Sequence, residues 1–153
     1  MARNMIASLK IASEAFKHNS FIPSKFTCDG ENINPSLIIS GLPMHTKTLV
    51  LIMEDLDGPK GSVVHWILWN IPPTNKILAN SVPGEAGIND FRKRKYQGPC
   101  PTSGVHRYAF KVYALDNFLH LDSKATRADL QPLLDDHAIG FGEIIGLYKR
   151  RNS

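Results

Sequence analysis

Two segments in the first half of the chain have the hydrophobic pattern of β-strands. Thr48–Met53 is a short apolar run, partly β-branched and followed by turn residues, which is typical of a strand buried on both faces. Val63–Ile71 also predicts a strand, and two prolines close it. A period of two divides this second segment into two faces, with His65, Ile67 and Trp69 on one and Trp66 and Leu68 on the other.

The second half of the chain predicts two further strands and a helical segment. Glu143–Tyr148, which follows two glycines, predicts the last strand. Thr126 and Asp129 have the spacing of a capping box ahead of an apolar stretch, although Pro132 is expected to shorten or kink any helix there. His106–Tyr113 alternates cleanly, which predicts a strand with one buried face made of His106, Tyr108, Phe110 and Val112.

Several short strands with few helices predict a mostly β protein. The expected architecture is an antiparallel β-sandwich with short helical additions near the C-terminus. No internal repeat, low-complexity tract or linker-like change of composition interrupts the chain. The sequence therefore predicts a single domain over residues 1–153.

Length and composition exclude several classes of protein. The chain has 153 residues, of which 42% are hydrophobic and 21% charged, so a disordered polar chain is excluded. No apolar run approaches the roughly 20 residues that a membrane-spanning helix needs. The first ten residues lack the apolar stretch of a secretion signal. These features predict a cytoplasmic protein without a transmembrane segment.

The net charge of +4 comes from two short runs. Arg92–Lys95 and Lys149–Arg151 hold seven of the 18 basic residues, and the rest of the chain is slightly acidic. Without interleaved aromatic residues such runs are typical of solvated loops or tails, so no nucleic-acid partner is predicted. Cys28 and Cys100 form neither a disulfide framework nor a Cys-x-x-Cys metal motif, and we expect both to be free thiols.

Polar side chains with useful chemistry occur where the predicted strands meet turns. In a sandwich these strand ends could meet at one rim, bordered by the turn-rich segment 98–104. Two imidazoles, a phenol and backbone N–H groups could receive a small anion there, while carboxylates orient the imidazoles and tune their charge. The candidates are Asp55 and Asp57 after the central strand, His65 at the start of the next strand, and His106 and Tyr108 at the start of the third.

Each candidate also has a purely structural interpretation. A single His beside an aromatic strand usually makes a structural hydrogen bond, and Tyr108 could be a core aromatic residue whose hydroxyl finds a partner. Asp55 and Asp57 flank a turn and could be Asx-type turn formers. Composition and spacing by themselves leave both interpretations open.

Enzymatic templates are mostly absent from the chain. It has no Gly-x-Ser-x-Gly, Walker, Gly-x-Gly-x-x-Gly or His-Glu-x-x-His motif. His65, His106 and Asp55 could in principle hold Zn²⁺, but no short-range ligand spacing supports that set. Cys100 beside His106 is the only nucleophilic pairing worth naming. The sequence therefore predicts no metal, no cofactor and no catalytic activity.

A series of motifs follows in order along almost the whole chain. The motifs are Phe26–Leu37, Glu54–Pro59, His65–Trp66, Asn70–Pro72, Gly87–Phe91, Gly98–Pro101 and Gly104–Tyr108. This series resembles the phosphatidylethanolamine-binding proteins, a family that includes the Raf kinase inhibitor protein. The compact length and the final strand resemble the prokaryotic branch of that family.

The resemblance implies a β-sandwich with a small, partly open pocket for phosphate-like anions. Phospholipid headgroups and phosphorylated side chains are the ligands it suggests. By position, Asp55 and Asp57 match the two acids of the family motif, His65 its first histidine, His106 and Tyr108 its His-Arg-Tyr pair, and Gly98 and Pro101 its loop. The resemblance also suggests a homodimer and kinase or protease partners, although no motif here carries those.

The chain departs from the family pattern at two places beside the implied pocket. Leu56 stands where the family has proline between the two acids, and Gly58 stands where it has alanine, so this turn is expected to be freer and the placement of Asp57 less fixed. Arg92 and Lys95 stand where glycines are common in the family, and with Lys93 and Arg94 they form the basic run Arg92–Lys95. We expect it to raise the local anion concentration or to favour acidic surfaces such as anionic lipid headgroups.

These observations predict a non-enzymatic binding protein with a small anion or phosphate pocket. His65 and His106 would donate hydrogen bonds to ligand oxygens, and Tyr108 would add its hydroxyl. Gly98 would contribute its backbone to the pocket, and Asp55 would fix the tautomer of an imidazole. Two alternatives stay open: a kinase or protease inhibitor or scaffold that acts through the pocket rim, and, less favoured, a hydrolase that uses Asp, His and Cys100.

Overall fold

The computed structural model describes residues 6–151 of the chain. In this part of the chain the fold consists of ten strands, a 3₁₀ turn at Ser24–Phe26 and one helix, α1 (Arg127–His137). The strands are β1 (Ala7–Ser8), β2 (Lys10–Ala12), β3 (Ser20–Phe21), β4 (Leu37–Ser40), β5 (Thr48–Asp55), β6 (Val63–Ile71), β7 (Lys76–Ile77), β8 (Glu85–Ala86), β9 (His106–Leu115) and β10 (Ala138–Tyr148).

The long strands form one large sheet in the order β1-β10-β9-β5-β6-β8. The pairs β5–β6, β5–β9 and β9–β10 are antiparallel, and only the short strands β1 and β3 run parallel to β10. A second, antiparallel sheet has the order β2-β4-β7. The prediction of a mostly antiparallel β protein is confirmed.

The small sheet covers one face of the large one across a shared apolar cluster. Leu37 and Ile39 come from the small sheet, while Leu51, Trp66 and Phe110 come from the large sheet, and all of them are buried in that cluster. This arrangement of two facing sheets is the predicted β-sandwich. Its core lies between β4 and the central strands β5, β6 and β9.

The opposite face of the large sheet is covered by α1 and the segment before it. Leu130 and Leu134 of the helix are buried in a second cluster together with Val50, Ile52 and Ile67 of the sheet. Every residue of β5 is therefore buried. This double coverage explains why the sequence of β5 is continuously apolar rather than alternating.

The helix begins as predicted but ends later than expected. The Thr126 N–H donates to Asp129 Oδ2 at 2.9 Å, which is the capping-box contact. Pro132 lies inside the helix, yet α1 continues to His137. The expectation that this proline shortens the helix is wrong, because burial of Leu130 and Leu134 stabilises the turns on either side of the one backbone hydrogen bond that proline cannot donate.

One face assignment in β6 is also wrong. In the β5–β6 register, Met53 pairs with Trp66 and Glu54 with Val64, so His65 is an extra residue at a bulge. Its ring contacts Tyr108, which belongs to the cluster between the sheets, and does not share the environment of Ile67 on the helix side. The bulge therefore breaks the period of two on which the prediction rested.

None of the helical segments in residues 6–151 has the length and apolar character of a membrane span.

Candidate functional site

Three neighbouring strands bring the predicted polar residues to one edge of the large sheet. Asp55 at the end of β5 lies directly opposite Tyr108 of β9 in the strand register. His65 lies near the start of β6 on one side of β5, and His106 begins β9 on the other side. Since adjacent strands are about 4.8 Å apart, side chains from these three strands meet within one small volume.

Tyr108 lies between the two imidazoles. Its ring centroid is 5.5 Å from that of His65, in an edge-on arrangement, and 6.4 Å from that of His106, in a stacked one. Tyr108 is fully buried and His65 is only 3% exposed, whereas the His106 side chain retains 12% exposure. The group is therefore largely enclosed, and His106 connects it to solvent.

Asp55 orients His106. The carboxylate Oδ2 of Asp55 lies 2.7 Å from His106 Nδ1, and its Oδ1 accepts the backbone N–H of Asp57 at 2.8 Å. A carboxylate accepts hydrogen bonds, so Nδ1 of His106 carries the proton and Nε2 is the nitrogen left for a ligand. This contact matches the role that the sequence suggested for Asp55.

His65 is oriented by backbone rather than by a carboxylate. Its Nδ1 lies 2.6 Å from the carbonyl oxygen of Gln97, to which it donates. Phe91 packs edge-on against the other side of the ring, with 4.9 Å between centroids. Burial lowers the pKa of His65, although the Gln97 carbonyl and the negative charge of Asp55 act in the opposite direction.

The Tyr108 hydroxyl is buried and has no hydrogen bond of good geometry within the described part of the chain. The Asp55 carboxylate and the Cys100 backbone lie near it. Burial, and then the nearby charge of Asp55, raise the pKa of Tyr108, so the hydroxyl keeps its proton. Buried hydroxyl groups in proteins normally donate a hydrogen bond, so this one is available to a ligand oxygen.

Asp57 has a different environment from Asp55. Its carboxylate accepts three hydrogen bonds from Arg107, from the backbone N–H at 2.8 Å, from Nε at 2.9 Å and from Nη2 at 2.8 Å. The Arg107 side chain lowers the pKa of Asp57 to about 2. These contacts fix the turn after β5 to the start of β9, so the expected loss of order at Asp57 is wrong. The pairing of Arg107 with Asp57 was not predicted from the sequence, because strand alternation places Arg107 on the face opposite to Tyr108.

The loop 98–101 is tied down by a covalent bond. Cys28 and Cys100 form a disulfide, with their Cα atoms 5.5 Å apart, so the expectation of free thiols is wrong. The two cysteines are 72 residues apart in the sequence, and only the fold brings them together. The pairing also leaves Cys100 without the free thiol that the nucleophilic alternative needs.

Gly98 and Pro101 are packed parts of the same loop. The Gly98 N–H donates to Asn32 Oδ1 at 2.9 Å, so this N–H is already engaged. A Cβ at Gly98 would lie 2.3 Å from that oxygen and 2.5 Å from the Phe26 carbonyl oxygen, which explains the need for glycine. Pro101 is buried. We conclude that the structure places both residues in the loop beside His65 and assigns Gly98 an anchoring contact.

The basic run Arg92–Lys95 forms an exposed loop at the rim of this group. Asn89 holds the loop, because its Nδ2 donates to the carbonyl oxygens of His65 and Lys95, both at 3.0 Å, and its Oδ1 accepts from the N–H groups of Phe91 and Lys93. Phe91 is 42% exposed. Asn89 and Phe91 belong to the Gly87–Phe91 motif, but spacing gave no indication that they support His65.

The zinc set that the sequence left open is not assembled. In residues 6–151, no three His, Cys, Asp or Glu side chains converge in a way that could hold a metal ion. The group can form hydrogen bonds through the Tyr108 hydroxyl and the two imidazoles, and the basic loop lies beside it.

Comparisons with known proteins find similar sequences over most of the chain. The family described as phosphatidylethanolamine-binding protein matches residues 12–149. A UPF0098 protein of Pyrococcus horikoshii is 47% identical over 156 residues, which cover 94% of this chain and 78% of that protein.

Two solved structures have the same fold. A structure described as a putative phosphatidylethanolamine-binding protein homologue from Chlamydia trachomatis superposes with a TM-score of 0.90 at 34% identity, covering 94% of this chain and 98% of that chain. The E. coli protein YbcL, described as a new member of the mammalian PEBP family, gives a TM-score of 0.86 at 27% identity, covering 95% of this chain and 100% of that chain.

Proposed function

Because this chain belongs to the phosphatidylethanolamine-binding protein family, we propose that the group around Tyr108 is a binding pocket for a phosphate-type anion. The observation that carries the proposal is the buried Tyr108 hydroxyl, without a hydrogen bond of good geometry among the described residues, between two imidazoles. Such a hydroxyl is stabilised when a ligand oxygen accepts its hydrogen bond. Phosphorylated side chains and phospholipid headgroups are the sources of phosphate to be distinguished.

The residues have separate parts in this proposal. Tyr108 donates its hydroxyl proton to a ligand oxygen, and His106 contacts the ligand through Nε2 while Asp55 holds the ring. His65 contributes its own Nε2 from the opposite side. Asp57, Gly98 and Pro101 shape the turn and the loop around the pocket, and their contacts with Arg107 and Asn32 support that part.

Binding without turnover is the form of activity that we propose. Two observations support it: Cys100 is engaged in a disulfide, and the Asp55–His106 pair has no hydroxyl or thiol nucleophile other than the high-pKa Tyr108 in the described contacts. A screen of phosphate esters and carboxyl esters tests this part. Turnover that disappears in His106→Ala would favour the hydrolase alternative.

Titration of inorganic phosphate against the folded protein tests the pocket itself. Wild type is expected to bind phosphate, and His106→Ala is expected to lose at least tenfold in affinity, as measured by calorimetry. His45→Ala is the matched control, since His45 is exposed and precedes the far end of β5, about 23 Å along the strand from Asp55. Equal affinity in wild type and His106→Ala would refute the pocket.

A second candidate function is supported by the rim. Arg92, Lys93 and Lys95 are exposed beside Phe91, a combination suited to an acidic surface on a membrane or a protein. The triple variant Arg92→Ser, Lys93→Ser, Lys95→Ser should lose partition onto anionic vesicles, most clearly at low salt. An equal change of charge elsewhere, Lys10→Ser, Lys17→Ser, Lys124→Ser, is the control. Similar partition of the two variants would remove the rim as the cause.

A cytoplasmic location also belongs among the proposals. The disulfide bears on it because such bonds are rare in reducing cytoplasm, with hyperthermophiles as the known exception. Trapping thiols in intact cells before lysis, followed by mass spectrometry of Cys28 and Cys100, tests the compartment. A fully oxidised pair in a cell whose other cytoplasmic thiols are reduced would argue against the cytoplasm.

A further inference from the structure

We propose that the pocket selects a phosphate group that still carries a proton, and that His65 is the residue that imposes this choice. The favoured ligands are dihydrogen phosphate and phosphomonoester monoanions. Phosphodiesters and sulfate, whose oxygens only accept hydrogen bonds, are disfavoured. The inference rests on the proposed function, since it specifies which anion the same pocket takes.

The first step concerns the hydrogen-bond partner of His65. Nδ1 lies 2.6 Å from the Gln97 carbonyl oxygen, and a carbonyl oxygen can only accept. Nδ1 must therefore carry a proton. In a neutral ring the other nitrogen, Nε2, is then an acceptor with a free lone pair. The hydrogen bond to Gln97 engages Nδ1 and not Nε2.

The second step concerns the charge of the ring. His65 is 3% exposed and packs against the rings of Phe91 and Tyr108. The groups that favour its protonated form are the carboxylates of Asp55 and Asp90 and the backbone of Gln97 and Gly98. Burial outweighs all of them and lowers the pKa of His65, so the ring is neutral where an ordinary histidine begins to protonate.

The remaining titratable neighbours do not change this conclusion. Tyr108 faces His65 from β9 and keeps its proton, because burial raises its pKa. His106 lies beyond Tyr108, and Asp55 holds its ring through Nδ1, so its Nε2 meets the ligand at a second position and is the same for every probe. The basic loop is exposed and attracts any anion regardless of protonation.

The third step matches the ligand to these groups. Tyr108 presents a donor and His65 presents an acceptor, so a complementary phosphate needs one oxygen that accepts and one hydroxyl that donates. A P–OH group supplies that donor. A diester or sulfate oxygen would place one lone pair against another at Nε2, and a buried acceptor left unpaired reduces affinity by roughly ten- to a hundredfold.

Methyl phosphate and dimethyl phosphate are the matched probes. At pH 5.5, below the second phosphate pKa of about 6, both are mainly monoanions and differ in one proton. Wild type is expected to bind methyl phosphate roughly ten- to a hundredfold more tightly. Inorganic phosphate and sulfate form a second pair without added methyl groups, and phosphate is expected to bind more tightly although sulfate carries more charge. Dimethyl phosphate also represents diester phospholipid headgroups.

Two further measurements test whether His65, rather than a neighbouring residue, causes the preference for methyl phosphate. Raising the pH to 8 removes the proton of methyl phosphate, and its advantage over dimethyl phosphate should fall. In His65→Gln the advantage should also fall, because an amide presents either a donor or an acceptor. If that variant does not fold, ¹⁵N NMR of histidine side chains in wild type should show Nε2 of His65 unprotonated at pH 5.5.

The outcomes distinguish this inference from the proposed function. If none of the four probes binds wild type, the pocket proposal fails. If methyl and dimethyl phosphate bind equally, or sulfate binds as tightly as phosphate, the pocket stands and the selection by His65 is overturned. A doubly protonated His65 ring at pH 5.5 would overturn it as well.

Discussion

Glu54 and Asp55 are neighbours at the end of β5, yet they lie on opposite faces of the sheet and have different kinds of partner. Glu54 is 2% exposed on the helix side, where its Oε1 lies 3.1 Å from Lys111 Nζ and 3.0 Å from Arg127 Nη1. Asp55 faces the pocket side and pairs with the imidazole of His106.

The difference shows what separates a structural ion pair from a binding site. Lys111 of β9 and Arg127 of α1 both lie against the Glu54 carboxylate, so these ion pairs join the helix to the sheet. Asp55 instead orients a ring whose second nitrogen is left for another partner, next to the buried Tyr108 hydroxyl. Similar carboxylates thus form ion pairs on one face of the sheet and orient an imidazole on the other.

The largest expected effect is the loss of stability when the Cys28–Cys100 disulfide is removed. Replacing both cysteines, Cys28→Ser with Cys100→Ser, should reduce the free energy of unfolding by about 2–5 kcal/mol, because the closed loop is long. Denaturant unfolding measures the loss, and hydrogen exchange should rise in the loop 98–101 but not in α1. Reduced wild type should match the variant. An unchanged midpoint would show that hydrogen bonds alone hold the pocket side.

On the helix side, Glu54→Gln should cost about 2–4 kcal/mol of stability, since Lys111 and Arg127 would lose the charge that compensates them where they are only partly solvated. Phosphate affinity of the folded protein should not change. Glu31→Gln is the control, because Glu31 forms a loose, exposed pair with Lys25 at 3.8 Å and should change stability little. A loss of phosphate binding in Glu54→Gln would contradict the assignment of a purely structural role to Glu54.

Replacing the carboxylate on the other face by an amide should affect phosphate affinity more than stability. Asp55→Asn should weaken phosphate binding by roughly tenfold, about 1.4 kcal/mol, because the amide no longer fixes the His106 tautomer. The loss of unfolding free energy should be smaller than in Glu54→Gln. Calorimetry and denaturant unfolding on both variants give the comparison directly. A larger stability loss in Asp55→Asn than in Glu54→Gln would assign Asp55 a structural role.

The smallest effect is the pH dependence of the Asp57–Arg107 pair. The folded pKa of Asp57 is about 2, below its usual 3.8, so the pair stabilises the fold above about pH 4 and this contribution is lost as the pH falls towards 2. Both side chains are partly exposed, which limits the contribution to about 0.5–1 kcal/mol.

Asp57→Asn should therefore be less stable than wild type at pH 6, and this difference should shrink as the pH falls to 2 and below, as measured by thermal unfolding. Asp136→Asn, an exposed aspartate on α1, should show no such convergence. Should the difference between Asp57→Asn and wild type persist unchanged at pH 2, the ion pair would not be its cause.

Much of the strand structure followed from local patterns. β5, β6 and β9 lie where continuous or alternating apolar residues predicted them, and the capping box at Thr126 marks the start of α1. The polar residues at these strand ends do come together around Tyr108. Their assembly was predictable because antiparallel neighbours in one sheet place alternate strand ends at the same edge.

The partners within the site did not follow from the sequence. Nothing local distinguished Asp55, which binds His106, from Asp57, which binds Arg107, since both acids follow the same strand. The bulge at His65 was equally hidden, because alternation across Val63–Ile71 continues through it in the sequence. One extra residue at that point was enough to move His65 from the helix side to the pocket.

By itself, the sequence determined the central strands β5, β6 and β9 and the end of β10, where the helix starts and which polar residues stand at the ends of those strands. Periodicity and capping act over a few neighbouring residues, so they are visible in the chain as written. The tertiary structure alone decided the Cys28–Cys100 bond, the Asn89 support of the basic loop and the choice of partner for each carboxylate. Those contacts join residues that are distant in sequence, or residues such as His65 whose side chain a bulge directs to the other face of the sheet. They form only when both faces of the large sheet are packed.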